Sequence, residues 1–174
     1  SIMTCLTLIT QLQDYIISKV DVKGAYLQTE MTGSPVFMKL DKELTTSVIS
    51  LLPNLKRFVT PEGTLYTKLL KALYGCVQSS RLWYNKLISI LKKLQYEVCP
   101  VDPCVMRRVV NHKIYIILIY VDDLLLLTDK EEADRLEREL TAAFQNITMT
   151  RGVTQSYLGM QITLKQHSVF IDMT

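Results

Sequence analysis

The sequence predicts an α+β fold, an antiparallel sheet with helices packed on one side. Three observations carry this. Two strongly apolar runs, "IYIILIYV" and "LLLLT", meet at Asp122 and Asp123 like the arms of a hairpin. Two segments have clear helical periodicity, one around Trp83 and one after Asp129. Helices and strands follow one another without the steady strand–helix alternation of a parallel sheet.

In chain order, Ile2, Leu6, Ile9 and Leu12 recur at helical spacing, and "YIISKVDV" then turns β-rich and closes at Asp21. "KGAYLQTEM" fits a short helical turn and "PVFMKL" a short strand. Pro53, Asn54, Pro61 and Gly63 mark Asp41 to Gly63 as irregular loop. "TLYTKLLKALYG" predicts a strand and a turn. "QSSRLWYNKLISILKKLQ" predicts the clearest helix, with Trp83, Leu87, Ile90, Leu91 and Leu94 on one face and Arg81, Lys86, Lys92 and Lys93 mostly on a solvated one. "PCVMRRVV" is a further strand. Asp129 is placed to cap a helix over "KEEADRLERELTAAF", with Glu132 at the capping-box position and Ala133, Leu136, Leu140 and Ala143 turned inward. The tail, "SYLGMQITLKQHSVFIDM", predicts two β-runs.

The 174 residues suffice for one domain with a sizeable core, and 48% hydrophobic content excludes a generally disordered chain. A formal charge of +3 permits nucleic-acid binding without arguing for it. Cys5, Cys76, Cys99 and Cys104 lack C-x-x-C spacing, and His112 and His167 complete no zinc pattern, so neither zinc nor a disulfide framework is expected. The expected compartment is intracellular, not secreted. No apolar run reaches the roughly 18 residues of a membrane span, so no membrane partner is expected. "SIMTCLTLIT" has neither an initiating Met nor the basic start of a signal peptide, which suggests a piece of a longer protein.

The aspartate pair alone fits an ordinary hairpin turn as readily as a functional site, although neighbouring carboxylates near a core repel unless a cation neutralises them. Asp21 at a strand end changes the balance. Pairing its strand with the hairpin would gather three carboxylates, hard oxygen ligands of the kind Mg²⁺ prefers, into a possible two-metal site.

Five blocks then stand in order: "VDVKGAYL" (Val20 to Leu27), "LLKALYGCVQSSRLWY" (Leu69 to Tyr84), "DPCVM" (Asp102 to Met106), "LIYVDDLLLLTD" (Leu118 to Asp129) and "SYLGMQI" (Ser156 to Ile162). They resemble the reverse transcriptase of copia-type LTR retrotransposons, over nearly the whole chain. The resemblance implies a right-hand polymerase palm with part of the fingers, in one domain over residues 1–174. It implies metal-ligand roles for Asp21, Asp122 and the Val22 carbonyl, a supporting acidic role for Asp123, and two Mg²⁺ ions for which Mn²⁺ could substitute. Val22, Lys23, Gly24, Ala25, Tyr26 and Gln78 fall at nucleotide-binding positions; Tyr26 would crowd the sugar 2′ position and Gln78 lie beside the nascent base pair. Tyr120, Val121, Leu158, Gly159 and Met160 fall where the primer end is supported, "YLGM" as a strand. Read without the family, Tyr26, Leu158 and Met160 fit core packing, Gln78 a helix start, and Arg81 and Trp83 helix packing. Implied partners are a primed RNA or DNA template, dNTPs, and polyprotein neighbours such as integrase and RNase H; the implied locations are a cytoplasmic virus-like particle and the nucleus.

The chain departs from the family at Cys76 and Val77, commonly Leu-Lys, and at Ser79 and Ser80, commonly Ala-Pro, which concerns the helix start. Upstream fingers strands, the full thumb and an RNase H have no counterpart among these residues. Two other readings compete with templated DNA synthesis. One is a silent remnant that at most binds partners; the other is a phosphoacceptor domain, whose paired acids would belong early in a parallel βα series.

Overall fold

The computed structural model describes residues 2–12, 14–165 and 168–173. His167, set aside above as a zinc ligand, lies outside them. Numbered along the chain, α1 (Ile2–Ile9), β1 (Tyr15–Val22), β2 (Phe37–Leu40), α2 (Lys42–Leu51) and β3 (Leu65–Lys68) come first. They are followed by α3 (Ser79–Lys93), β4 (Glu97–Cys99), β5 (Asp102–Val110), β6 (Lys113–Tyr120), β7 (Asp123–Asp129) and α4 (Lys130–Ala143). The last strands are β8 (Ile147–Gly152), β9 (Thr154–Tyr157), β10 (Met160–Lys165) and β11 (Ser168–Met173).

Six strands form one sheet in the order β4-β5-β6-β7-β1-β8, and every pairing is antiparallel. Leu124 to Leu127 of the central β7 are completely buried on both faces, which is why that run is continuously apolar instead of alternating. Residues paired across an antiparallel ladder share a face. Arg151 of β8 lies opposite Ser18 and reaches Asp134 and Glu137 of α4, so the face carrying Ser18, Val20 and Val22 lies under α4. Trp83 of α3 meets Phe144 at the end of α4, centroids 5.2 Å apart, and Tyr96 beyond α3 donates to Glu132 of α4; the two longest helices therefore share one face. A second sheet, β11-β10-β9, abuts β1 through β9, and α1 packs on β11. β2 and β3 form a separate ribbon.

Four local expectations need correction. Asp41 to Gly63 is not irregular: the Asp41 carboxylate accepts from Leu44 N at 2.9 Å and caps α2, and a 3-10 turn spans Pro53–Phe58. The helix showed no apolar stripe because Thr45 is the one buried residue on it. Second, the tail after Tyr157 continues as two strands, but β8 and β9 precede them in the stretch that carried no strand expectation or only its start. Third, Ala143 is exposed, because Phe144 leaves the helix with extended dihedrals and takes the inward position itself. Fourth, Asp129 does cap α4 through Glu132 N at 3.0 Å, but Glu132 does not close a capping box. Its carboxylate is bound by Tyr96, Arg108 and Arg135 at 2.9, 2.8 and 2.7 Å. On α3 the inward face includes Ile88 as well as Trp83, Leu87 and Leu91, while Ile90 and Leu94 are half-buried.

Candidate active site

β1 and β7 bring the acids together. Their register sets Asp21 directly opposite Asp123, and the two-residue turn before β7 consists of Val121 and Asp122. Val121 has φ of +54°, a left-handed conformation that is costly for a β-branched residue. Two contacts hold it there. The Trp83 indole donates to the Val121 carbonyl at 2.6 Å, and Val22 N donates to the Asp122 carbonyl at 3.1 Å. Trp83, expected as a packing residue, thus also fixes the backbone of the acidic turn.

The three carboxylates have different surroundings. Lys19 pairs with Asp123 at 3.0 Å. The Tyr74 hydroxyl donates to Asp122 at 3.2 Å, and its pKa is pushed up first by burial, then by the charge and hydrogen bond of Asp122, with Asp21 adding to it. Asp122 is thus left to a neutral hydroxyl at the turn, a spot beside the Asp21–Asp123 pair, while Asp123 is turned to a lysine. Among the described residues neither Asp21 nor Asp122 has an ion-pair partner, and no group of three or more His, Cys, Asp or Glu is arranged to hold a metal. The strand pairing brings three acids near one another; the side chains leave two of them available.

Tyr26 caps this spot from the short turn Tyr26–Gln28, its ring 4.2 Å from that of Tyr74. The turn begins at Gly24, whose φ of +61° suits glycine, and Ala25 behind it is fully buried. Lys23 is exposed and its amide is held by the Asn146 carbonyl at 3.0 Å. A hollow of about 270 Å³ beside the acidic turn is lined by Tyr26, Ser80, Trp83, Tyr84, Tyr120 and Val121 among others, and a groove of about 540 Å³ beside Asp21 includes Lys19, Lys23 and Thr148.

Gln78 is half-buried at the start of α3 and makes no capping bond with its side chain. Ser79 instead ties the helix start to the preceding loop. Its hydroxyl donates to the Leu73 carbonyl at 2.7 Å and accepts from Leu73 N at 3.1 Å, closing the loop in which Gly75 has φ of +93°. The departure from the family's Ala thus supplies its own stabilising bond. Lys86 is not on a solvated face either: half-buried, it donates to the Gln28 carbonyl and ties α3 to the Tyr26 turn.

"YLGM" is not one strand but the tip of a hairpin, with Tyr157 ending β9 and Met160 opening β10. Leu158 and Gly159, with φ of +52° and +75°, connect Tyr157 to Met160, the two-residue hairpin geometry of the left-handed kind. Leu158 is partly exposed and Met160 half-buried. Burial, then the charge of Asp123, pushes the Tyr157 hydroxyl up. Tyr74 is the site residue that the sequence reading missed. Its place one residue before Gly75, in a block already singled out, was the available signal.

Residues 1–173 match the family described as reverse transcriptase (RNA-dependent DNA polymerase). The retrovirus-related Pol polyprotein from transposon TNT 1-94 of Nicotiana tabacum is 31% identical over 170 residues, which is 97% of this chain and 12% of that polyprotein. Among solved structures, telomerase from Candida albicans, in complex with a TWJ fragment of telomeric RNA, aligns with a TM-score of 0.50 at 13% identity, over 94% of this chain and 32% of its own. That likeness concerns the fold. The chain spans about an eighth and a third of these two relatives.

Proposed function

The chain belongs to the reverse transcriptase family of copia-type retrotransposons, and on that premise we propose that it is the palm, with part of the fingers, of a template-directed DNA polymerase within a longer polyprotein. The observation that carries the reading is the β1–β7 register, which sets Asp21 opposite Asp123 next to the Val121–Asp122 turn, with neither Asp21 nor Asp122 in an ion pair among the described residues. The proposed reaction is attack of a primer 3′-hydroxyl oxygen on the α-phosphorus of a dNTP: the O–H bond breaks and its proton passes to solvent, a P–O bond forms, the α-phosphorus–oxygen bond to the β-phosphate breaks, and pyrophosphate leaves.

The donor set suits divalent magnesium, or manganese in its place. Carboxylate oxygens of Asp21 and Asp122 and the carbonyl of Val22 are hard ligands and would hold the ions, which when bound supply Lewis-acid stabilisation of phosphate charge. Asp123, held by Lys19, serves this site as a charge beside the ligands. Everything else concerns positioning, which contributes much of phosphoryl-transfer catalysis. Trp83 holds the Val121 turn and so aims Asp122. The Tyr26 ring, largely buried and tilted against that of Tyr74, walls the position of the sugar. Val22, Lys23, Gly24, Ala25 and Gln78 flank the nucleotide, and Tyr120, Val121 and the Leu158–Gly159 turn with Met160 support the primer end.

Primer extension by the longer parent is the test. Asp122→Asn keeps the shape and loses the charge, and is expected to lower extension about a thousandfold, the order of several kcal/mol attributed to such metal assistance, with thermal unfolding unchanged. Wild-type extension by this variant would sink the assignment. An intact parent that extends nothing would instead indicate the silent remnant.

A further inference from the structure

We propose that the outer face of the β2–β3 ribbon is a binding platform for single-stranded nucleic acid, separate from the catalytic acids. The register sets Phe37 opposite Lys68 and Lys39 opposite Tyr66, so these four side chains share one face of the ribbon. The other face is packed at one end, where Leu40 and Leu65, also a cross-strand pair, are 7% and 3% exposed, while Met38 beside them is 38% exposed. On the outer face Phe37 is 62% exposed and Tyr66 55%. Each ring has a lysine directly across from it, in a chequerboard, and the Lys39 ammonium lies 6.0 Å from the centre of the Tyr66 ring.

Charge identifies the occupant. Residues 31–74 contain six Lys and Arg against three Asp and Glu, while the rest of the chain holds fourteen of each; the whole formal excess of +3 is in this segment. Rings that alternate with cations suit a strand whose bases are free to stack and whose phosphates lie between them. A duplex hides its base faces, and a protein partner would favour contiguous apolar area, which the lysines interrupt. The ribbon also points the right way. Its backbone pairing continues through Met31 N to Leu70 O and Ala72 N to Thr29 O, towards Tyr74 at the acidic turn, about 20 Å along the chain from Lys68. A strand lying on the platform is within reach of the site.

A second aromatic–lysine pair provides an internal control. Lys165 stands 4.6 Å from the ring of Phe170, which is 54% exposed, on the β10–β11 hairpin. That region has no excess of cations, since Lys165 is offset by Asp172 between residues 152 and 173.

The experiment measures fluorescence anisotropy of a labelled 15-nucleotide oligo(dT) titrated with the 174-residue chain, without nucleotide or divalent ion, at several salt concentrations. Phe37→Ala with Tyr66→Ala is expected to weaken binding at least about tenfold with little change in salt dependence, since stacking on rings is lost. Phe37→Leu with Tyr66→Leu should lose about as much, because leucine keeps the apolar surface but not the ring. Lys39→Gln with Lys68→Gln should weaken binding and flatten the log–log salt slope by about 1.4, or about 0.7 per phosphate contact. Phe170→Ala should bind as the wild type does. All four positions on the platform are exposed, so thermal unfolding should stay within a degree or two of wild type. Absence of wild-type binding at low salt, full affinity in the alanine or leucine pair, or an equal loss in Phe170→Ala would each overturn the proposal. Because no synthesis is measured, failure here leaves the polymerase reading standing, and failure of that reading leaves this binding intact.

Discussion

At one end of the β1–β7 ladder Asp129 lies opposite Tyr15 and is fully engaged: Lys113 and Tyr115 donate to one oxygen at 2.7 and 3.0 Å, and Glu132 N donates to the other at 3.0 Å. Next to it Glu132 holds Tyr96, Arg108 and Arg135. At the other end of the same two strands Asp21 lies opposite Asp123, Lys19 takes Asp123, Asp122 accepts from a tyrosine hydroxyl, and among the described residues neither Asp21 nor Asp122 has an ion pair. Acids at the first end are satisfied by their own chain and hold the fold together. Those at the second keep charge that the fold does not consume, which is the condition for binding something from outside. The same strands therefore serve as structure at one end and candidate site at the other, and the count of partners separates the two.

Breaking the saturated end should have the largest effect on stability. Glu132→Ala leaves Arg108 and Arg135 without their shared anion, and unfolding free energy is expected to fall by about 3 kcal/mol in a urea titration. A loss below about 1 kcal/mol would mean the cluster stabilises no more than a surface pair does.

Acid should distinguish the ends next. Burial would raise the Glu132 carboxyl, but hydrogen bonds from Arg135 and Tyr96 and the nearby guanidinium charges carry it below its ordinary value of 4.5. Asp129 is likewise held below 3.8 despite burial, by Lys113, Glu132 N and Tyr115. A carboxylate with a lowered folded pKa stabilises fully above its unfolded value and loses that contribution as pH falls through the folded one. Urea midpoints should therefore drop as pH falls below 4.5, and drop less in Glu132→Gln, which has no such proton to bind. Parallel curves for the two proteins would contradict the linkage.

At the open end, Tyr26→Ala in the longer parent should reduce discrimination against ribonucleotides about tenfold by opening space beside the 2′ position. Unchanged discrimination would make Tyr26 a packing residue only. The smallest effect belongs to Tyr74→Phe. Removing one hydroxyl that competes for Asp122 should tighten Mn²⁺ binding by the 174-residue chain about threefold, read by electron paramagnetic resonance, in line with a net hydrogen bond of about 0.5–1.5 kcal/mol. Weaker binding by the variant would mean that the hydroxyl supports the carboxylate instead of competing with it.

Periodicity was enough to find β1, β6, β7, α3 and α4, because each either buries a full face or alternates within a sheet, and the caps at Asp129 and the turn at Gly75 are local chemistry written in the residues themselves. It was not enough for α2 or β8. One is a capped helix with almost nothing buried, the other an edge strand with little pattern to show. Asp21, Asp122 and Asp123 could be selected from the sequence because their strands had to pair side by side. Which of them stays available could not, since that depends on where Lys19 and Tyr74 come to rest, and Tyr74 is 48 residues away along the chain from Asp122. Identity and local spacing determined the acids, the helices α1, α3 and α4 and the family; only the closing of long loops decided that Trp83 would hold the Val121 turn, that Glu132 would leave its cap for two arginines, and that the two outer rings of the β2–β3 ribbon would remain uncovered.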